Sequence, residues 1–113
     1  MNWIQLNSSE DLERIKEESR ESPVVIFKHS TRCSISDMAL NRLERSWSDQ
    51  DMVNVKPYYL DLISNRNVSD EVAEVFKVRH ESPQVLIVKN GEVIHSDSHM
   101  GINYNTIKDL AKN

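Results

Sequence analysis

With 113 residues and 38% hydrophobic content the chain can bury one modest core and not two, so a single domain over residues 1–113 is expected. Its formal net charge of -4 arises from 14 Lys and Arg against 18 Asp and Glu with the signs interspersed, which argues against nucleic acid as a partner. No stretch approaches the roughly 20 apolar residues that cross a bilayer, and the N-terminal MNWIQLNSSEDLERIKEE lacks a basic region followed by an apolar run. No membrane partner is expected, and a cytoplasmic location is.

Trp3 to Leu6 reads as a short first strand. Ser8 or Ser9 is placed to cap a helix that repeats Leu12 and Ile15 on one face and continues to Arg20, before Ser22 and Pro23 stop it. Val24 to Phe27 is a continuous apolar run, the pattern of a central strand covered on both faces. A second helix is expected over 34–48, with Met38, Leu40, Leu43 and Trp47 as its apolar positions. Val53 to Leu62 supplies another strand. Pro57 removes a ladder donor there, which predicts a sheet edge or a strand that begins only at Tyr58.

Asn67 or Ser69 can cap a third helix through Val72, Ala73, Val75 and Phe76. QVLIV, KNGE and VIHS then spell a hairpin, because Asn90 and Gly91 suit a type I′ turn. A last helix carries Ile107 and Leu110, with Asn103 or Asn105 as its cap. Helical crossovers make the early strands parallel and the hairpin adds an antiparallel pair, so a mixed α/β sheet of four or five strands between helices follows. The expected core is Ile4, Leu12, Ile15, Val25, Phe27, Met38, Leu43, Trp47, Tyr59, Leu60, Val72, Phe76, Leu86, Val88 and Ile107.

Chemistry concentrates in FKHSTRCSIS, which holds the chain's single cysteine. One cysteine makes no internal disulfide, so Cys33 is a packed small hydrophobe, an intermolecular link or a reactive thiol. Its polar neighbours favour reactivity. A strand ending near Lys28 and a loop over 29–32 put Cys33 at the first turn of the second helix, where unpaired N–H groups and the positive helix end favour a thiolate. Arg32 and His29 can add positive potential, although His29 can equally be a polar residue closing the loop. Ser36 is placed to donate a hydroxyl hydrogen bond to the sulfur across the turn.

Pro83, in HESPQVLIV, directly precedes an apolar strand and would hold a backbone edge beside it. His80, His95 and His99 lack a short, regular ligand spacing, so no metal site is expected. With two glycines the chain has no phosphate-binding loop, and NADPH would act only through another protein.

The element order, the lone cysteine and Ser82-Pro83 together resemble a thioredoxin fold, a three-layer sandwich. The resemblance implies a cis proline at Pro83 facing Cys33. More closely, KHSTRC-x-I-S with a downstream ESPQ resembles the monothiol bacilliredoxins, also described as general stress proteins, over nearly the whole chain. What that family implies is a thiol-disulfide oxidoreductase acting on S-thiolated cytosolic proteins, with bacillithiol as thiol co-substrate and no tightly bound cofactor. Cys33 would take up the bacillithiol, and a second low-molecular-weight thiol or a partner reductase would recycle it. Ser36 stands where a dithiol thioredoxin carries its resolving cysteine. Thr31, Arg32, Ser34 and Ser82 would shape the site, Arg32 by meeting the ligand's carboxylates. Ser34 departs from the proline often found at that position, which restores a donor near the sulfur while loosening the turn. Two other readings compete. A monothiol glutaredoxin would need a glycine-rich loop and a late glycine pair that are absent, and a non-catalytic thioredoxin-like binding or stress protein would keep the shape without the reactive sulfur.

Overall fold

The structure, a computed structural model, describes residues 1–112. Among the described residues five strands and four helices follow in this order: β1 (Ile4–Gln5), α1 (Ser9–Glu18), β2 (Val24–His29), α2 (Ser34–Ser46), β3 (Lys56–Asp61), α3 (Arg66–Phe76), β4 (Gln84–Lys89), β5 (Glu92–Ser98) and α4 (Tyr104–Lys112). A 3₁₀ turn, His99–Gly101, joins β5 to the last helix. The sheet order is β1-β3-β2-β4-β5, with β1, β2 and β3 parallel and both β2–β4 and β4–β5 antiparallel.

β2 lies in the middle of the sheet, as its apolar run requires. It also runs past that run: Lys28 and His29 are strand residues and both are buried. Successive strand residues point to opposite faces, so the sheet sorts its side chains into two cores. Val24, Ile26, Tyr58, Leu60, Leu86 and Val88 meet Leu12 and Ile15 of α1 and Val68, Val72 and Phe76 of α3. On the other face Val25, Phe27, Val85 and Ile87 meet Ala39 and Leu43 of α2 and Ile107 and Ala111 of α4. This is the three-layer arrangement of helices, sheet and helices.

The local signals act through identifiable atoms. Ser8 Oγ accepts from Asp11 N at 3.2 Å to cap α1, a bond worth about 1 kcal/mol. Asn90 and Gly91 both take positive φ, 53° and 76°, which gives the primed turn that matches the twist of its strands. Their two N–H groups donate to the carbonyl and hydroxyl of Ser19, both at 2.8 Å, which tethers the turn to the end of α1. Asn103 Oδ1 accepts from Thr106 N at 3.2 Å and caps α4.

Several expectations are corrected. β3 is an interior strand rather than an edge, and it starts at Lys56 rather than at Val53 or Tyr58. Tyr59 directs its carbonyl to Leu6 N, so Pro57, of the same parity, points toward β1. Pairing with β1 begins one residue later, at Ile4 opposite Tyr58, so the missing donor breaks no ladder bond. Met38 is 62% exposed and not core, because the buried stripe of α2 runs through Ser36, Ala39 and Leu43 and leaves Met38 on the outer side. Ile4 is exposed, and Trp47 and Tyr59 are only half-buried. α3 begins at Arg66 with Asn65 as its cap position, ahead of both expected caps. The Asp61 carboxylate accepts from the backbone N–H groups of Ile63 and Ser64 and turns the chain early. Finally, α1 and α2 end two residues short of the expected Arg20 and Ser48.

Candidate active site

The C-terminal ends of β2 and β3, the start of β4 and the end of β5 meet at one end of the sheet, and there Lys28, His29, Ser36, Ser69 and Gln84 are buried. Lys28 pairs with Gln84 across β2 and β4, so Pro83 lies level with the end of β2, from which the loop 30–33 leads into α2. Cys33 is the cap residue of α2, with extended backbone and a partly exposed side chain. Its N–H donates to Ser30 O at 3.1 Å and its carbonyl accepts from Asp37 N at 3.0 Å. The helix thus begins at the sulfur-bearing residue, and a helix start favours negative charge.

The Ser82–Pro83 peptide bond is cis and Pro83 is buried. Its carbonyl accepts from His99 N at 3.1 Å, which joins the 3₁₀ turn to the proline. Ser82 Oγ is buried, without a hydrogen-bond partner among the described residues. Thr31, Arg32 and Ser34 are exposed around the cysteine, and Arg32 makes no ion pair among the described residues.

His29 does not close the loop. It ends β2, opposite Asp61 of β3, and is only 3% exposed. Nδ1 lies 2.7 Å from Ser36 Oγ, and Nε2 lies 3.3 Å from Asp37 Oδ1. Ser30 N–H also donates to Ser36 Oγ, at 3.0 Å. The tautomer is assigned from these contacts. Nε2 faces a carboxylate and carries the proton, so Nδ1 is an acceptor and Ser36 gives it its hydroxyl hydrogen. Ser36, fully buried, therefore spends its one proton on His29 and not on the sulfur as the sequence spacing suggested. Cys33 Sγ has no hydrogen-bond partner among the described residues.

Burial pushes the His29 imidazole below its ordinary range, opposed by the negative charges of Asp37, Asp61 and Glu44. Tyr59, whose ring lies 5.6 Å from that of His29, is pushed up by burial and by Asp61, Asp37 and Glu44. Glu44 is held in turn by Trp3 Nε1 at 2.8 Å. Sequence reasoning missed Asp37, because its role follows from His29 being inside the sheet layer rather than in a loop.

The second omission is Lys28, fully buried on the opposite face. Its Nζ donates to Ser69 O at 3.5 Å and to His80 Nδ1 at 3.3 Å, with no carboxylate in ion-pair contact among the described residues. Burial lowers its pKa to about 8, and Asp70 acts in the opposite sense. His80 is likewise pushed down, by burial first and then by Lys28 and Arg66. His95 is paired with Asp97 at 2.8 Å on β5.

Solved structures with this architecture are numerous. One described as a candidate oxidoreductase with a thioredoxin fold is 32% identical, with a TM-score of 0.81 over 97% of this chain and 93% of that one. The thioredoxin Mala s 13 of Malassezia sympodialis is 17% identical, with a TM-score of 0.75 over 98% of this chain and 89% of its own. Thioredoxin from Trypanosoma brucei brucei, also 17% identical, gives 0.72 over 99% and 93%. At that identity the last two speak for the fold alone, which is the thioredoxin fold. The family model for monothiol bacilliredoxin BrxC matches residues 4–107. That match spans most of the chain, and the chain belongs to the monothiol bacilliredoxin BrxC family of thioredoxin-fold redox proteins.

Proposed function

We propose that this protein is a monothiol oxidoreductase that removes bacillithiol from mixed disulfides on cytoplasmic protein cysteines. The observation that carries the reading is the pairing of Cys33 at the start of α2 with a buried Ser36 at the resolving position, its hydroxyl held by His29 and Ser30. The Cys33 thiolate attacks the bacillithiol sulfur of the mixed disulfide. A Cys33–bacillithiol disulfide forms, the target's sulfur leaves as a thiolate and takes a proton from solvent. No second cysteine exists in the chain to resolve the adduct. A free bacillithiol thiolate, or the thiolate of a partner reductase, then attacks the bacillithiol sulfur of the adduct and returns Cys33 to the thiolate. Arg32, exposed beside the cysteine, supplies a guanidinium for the carboxylates of the bound thiol. Pro83, buried at the same end of the sheet, supports the backbone edge along which the thiolated segment lies.

Exposure of the intact protein to oxidised bacillithiol, followed by intact-mass analysis, tests this reading. One adduct per chain, absent from Cys33→Ser and removed by free bacillithiol, is the expected result. A protein that stays unmodified in the folded state while its unfolded form reacts would leave a binding module with a buried thiol.

A further inference from the structure

Resting on the reading of Cys33 as a reactive thiol, we propose that Ser36, His29 and Asp37 form a proton relay that takes the proton from Cys33. Two contacts are in place: a hydrogen bond of 2.7 Å between Nδ1 and Ser36 Oγ, and a charge contact of 3.3 Å between Nε2 and Asp37 Oδ1. Ser36 Oγ has two acceptor sites and one proton. Ser30 N–H occupies one acceptor site and His29 receives the proton, so one acceptor site is left. The proposal adds a single link, from Cys33 Sγ–H to that site, across the i, i+3 spacing that places side chains of one turn beside each other.

The transfer balances. As the Cys33 thiol gives its proton to Ser36 Oγ, the Ser36 hydroxyl proton passes to Nδ1. The products are a thiolate at the start of α2 and an imidazolium whose Nε2–H faces the Asp37 carboxylate. Burial opposes a charged imidazole here and keeps it below its ordinary range, and the surroundings counter that burial in part. Asp37 and Glu44 on α2 and Asp61 on β3 present negative charge to the ring, while Tyr59 on β3 and Phe27 on β2 flank it with tilted rings. Once Cys33 has entered the disulfide the imidazolium gives its proton to solvent, and the Cys33 thiolate regenerated by recycling is protonated by the same path in reverse. Asp37 is a positioning residue that acts through His29. Its own side chain is 55% exposed, so its replacement leaves the core intact.

The experiment is the rate of iodoacetamide alkylation of Cys33 on the intact protein from pH 5 to 9, in wild type, Asp37→Asn and Ser36→Ala. The relay requires both variants to alkylate about tenfold or more slowly at pH 7, with the rate recovered only at higher pH. The opposite sign is expected if Asp37 acts only as a negative charge in the first turn of α2, because removing it would then favour the thiolate and speed alkylation. An unchanged or faster Asp37→Asn overturns the relay. Alkylation involves no bacillithiol, so a protein that rejects bacillithiol yet shows the expected profile separates failure of the substrate reading from failure of the relay.

Discussion

Lys28 and His29 are consecutive residues of the central strand, both buried, both basic, and they point to opposite faces of the sheet. Among the described residues Lys28 reaches neutral partners, Ser69 O and His80 Nδ1, while His29 lies among Asp37, Asp61 and Glu44. A buried cation without a contacting anion is costly and its proton is loosened. A buried base ringed by carboxylates instead gains a counter-charge for any proton it accepts. The same strand end thus serves as a structural clamp on one face, where Lys28 ties α3 to the segment leading to Pro83, and as an acid-base environment on the other, below Cys33.

The contrast breaks most visibly if chemistry does not stay on the His29 face. Cys33→Ser should abolish adduct formation with oxidised bacillithiol, whereas Lys28→Met should change its rate by no more than about threefold, well under 1 kcal/mol of barrier. Mass-resolved time courses of the two variants against wild type read this directly. A large loss in a folded Lys28→Met would make the clamp part of the site.

The next largest effect is on stability. Lys28 is pushed from 10.5 to about 8 in the folded protein. Between those values the unfolded chain holds a proton that the folded chain has shed, so stability rises with pH across that window, by about 3 kcal/mol in total. Lys28→Met removes the rise. Tyr58 is pushed up by burial and by Glu18 and acts in the opposite sense at high pH, in both proteins alike. Urea midpoints at pH 7 and pH 10 should therefore separate wild type from Lys28→Met by their difference, and parallel shifts would contradict a buried, proton-shedding lysine.

Much of this architecture is legible in the sequence because its causes are local. Asn90-Gly91 dictates its turn, Val24 to Phe27 dictates a covered strand, and a polar segment around one cysteine marks the helix start. What escaped reading is set by how the elements pack against one another. Pro57 argues for an edge, yet β1 arrives on its outer side one residue too late to need the missing donor. Met38 counts as apolar in any periodic pattern, and only the packing of Ser36, Ala39 and Leu43 decides that it faces out. Ser36 has the spacing to serve the sulfur, but His29 claims its proton from the neighbouring strand. Lys28 and His29 look like a strand's polar exit, since nothing in their vicinity announces that both are enclosed.

Acid sharpens the comparison from the other side. His29 and His80 are both held below their ordinary value of 6.5, chiefly by burial. As pH falls below about 6.5 the unfolded chain takes up protons that the folded chain resists, so stability drops by up to about 1.4 kcal/mol per pH unit for each group. His80→Asn should remove the part belonging to the Lys28 face and leave the part belonging to the His29 face. Chemical denaturation between pH 7 and pH 5 checks the division, and an undiminished slope in His80→Asn would mean that the clamp tolerates a charged imidazole.

The smallest effect is at the far end of the Lys28 face. There Glu18 accepts from Lys56 Nζ at 2.8 Å and from the Tyr58 hydroxyl, partly shielded from solvent. Glu18→Gln should cost about 1 kcal/mol, seen as a lower urea midpoint at pH 7 with unchanged thiol reactivity. A change in reactivity would mean that the two faces communicate.

The most direct measurement for the central claim is intact-mass analysis of an equimolar mixture of this protein and a target protein carrying one bacillithiol in mixed disulfide, at pH 7. The adduct should leave the target, appear on Cys33 in equal amount, and leave the chain again when free bacillithiol is added. A target that keeps its bacillithiol in the presence of folded, reduced protein would contradict the assignment of Cys33 as the acceptor.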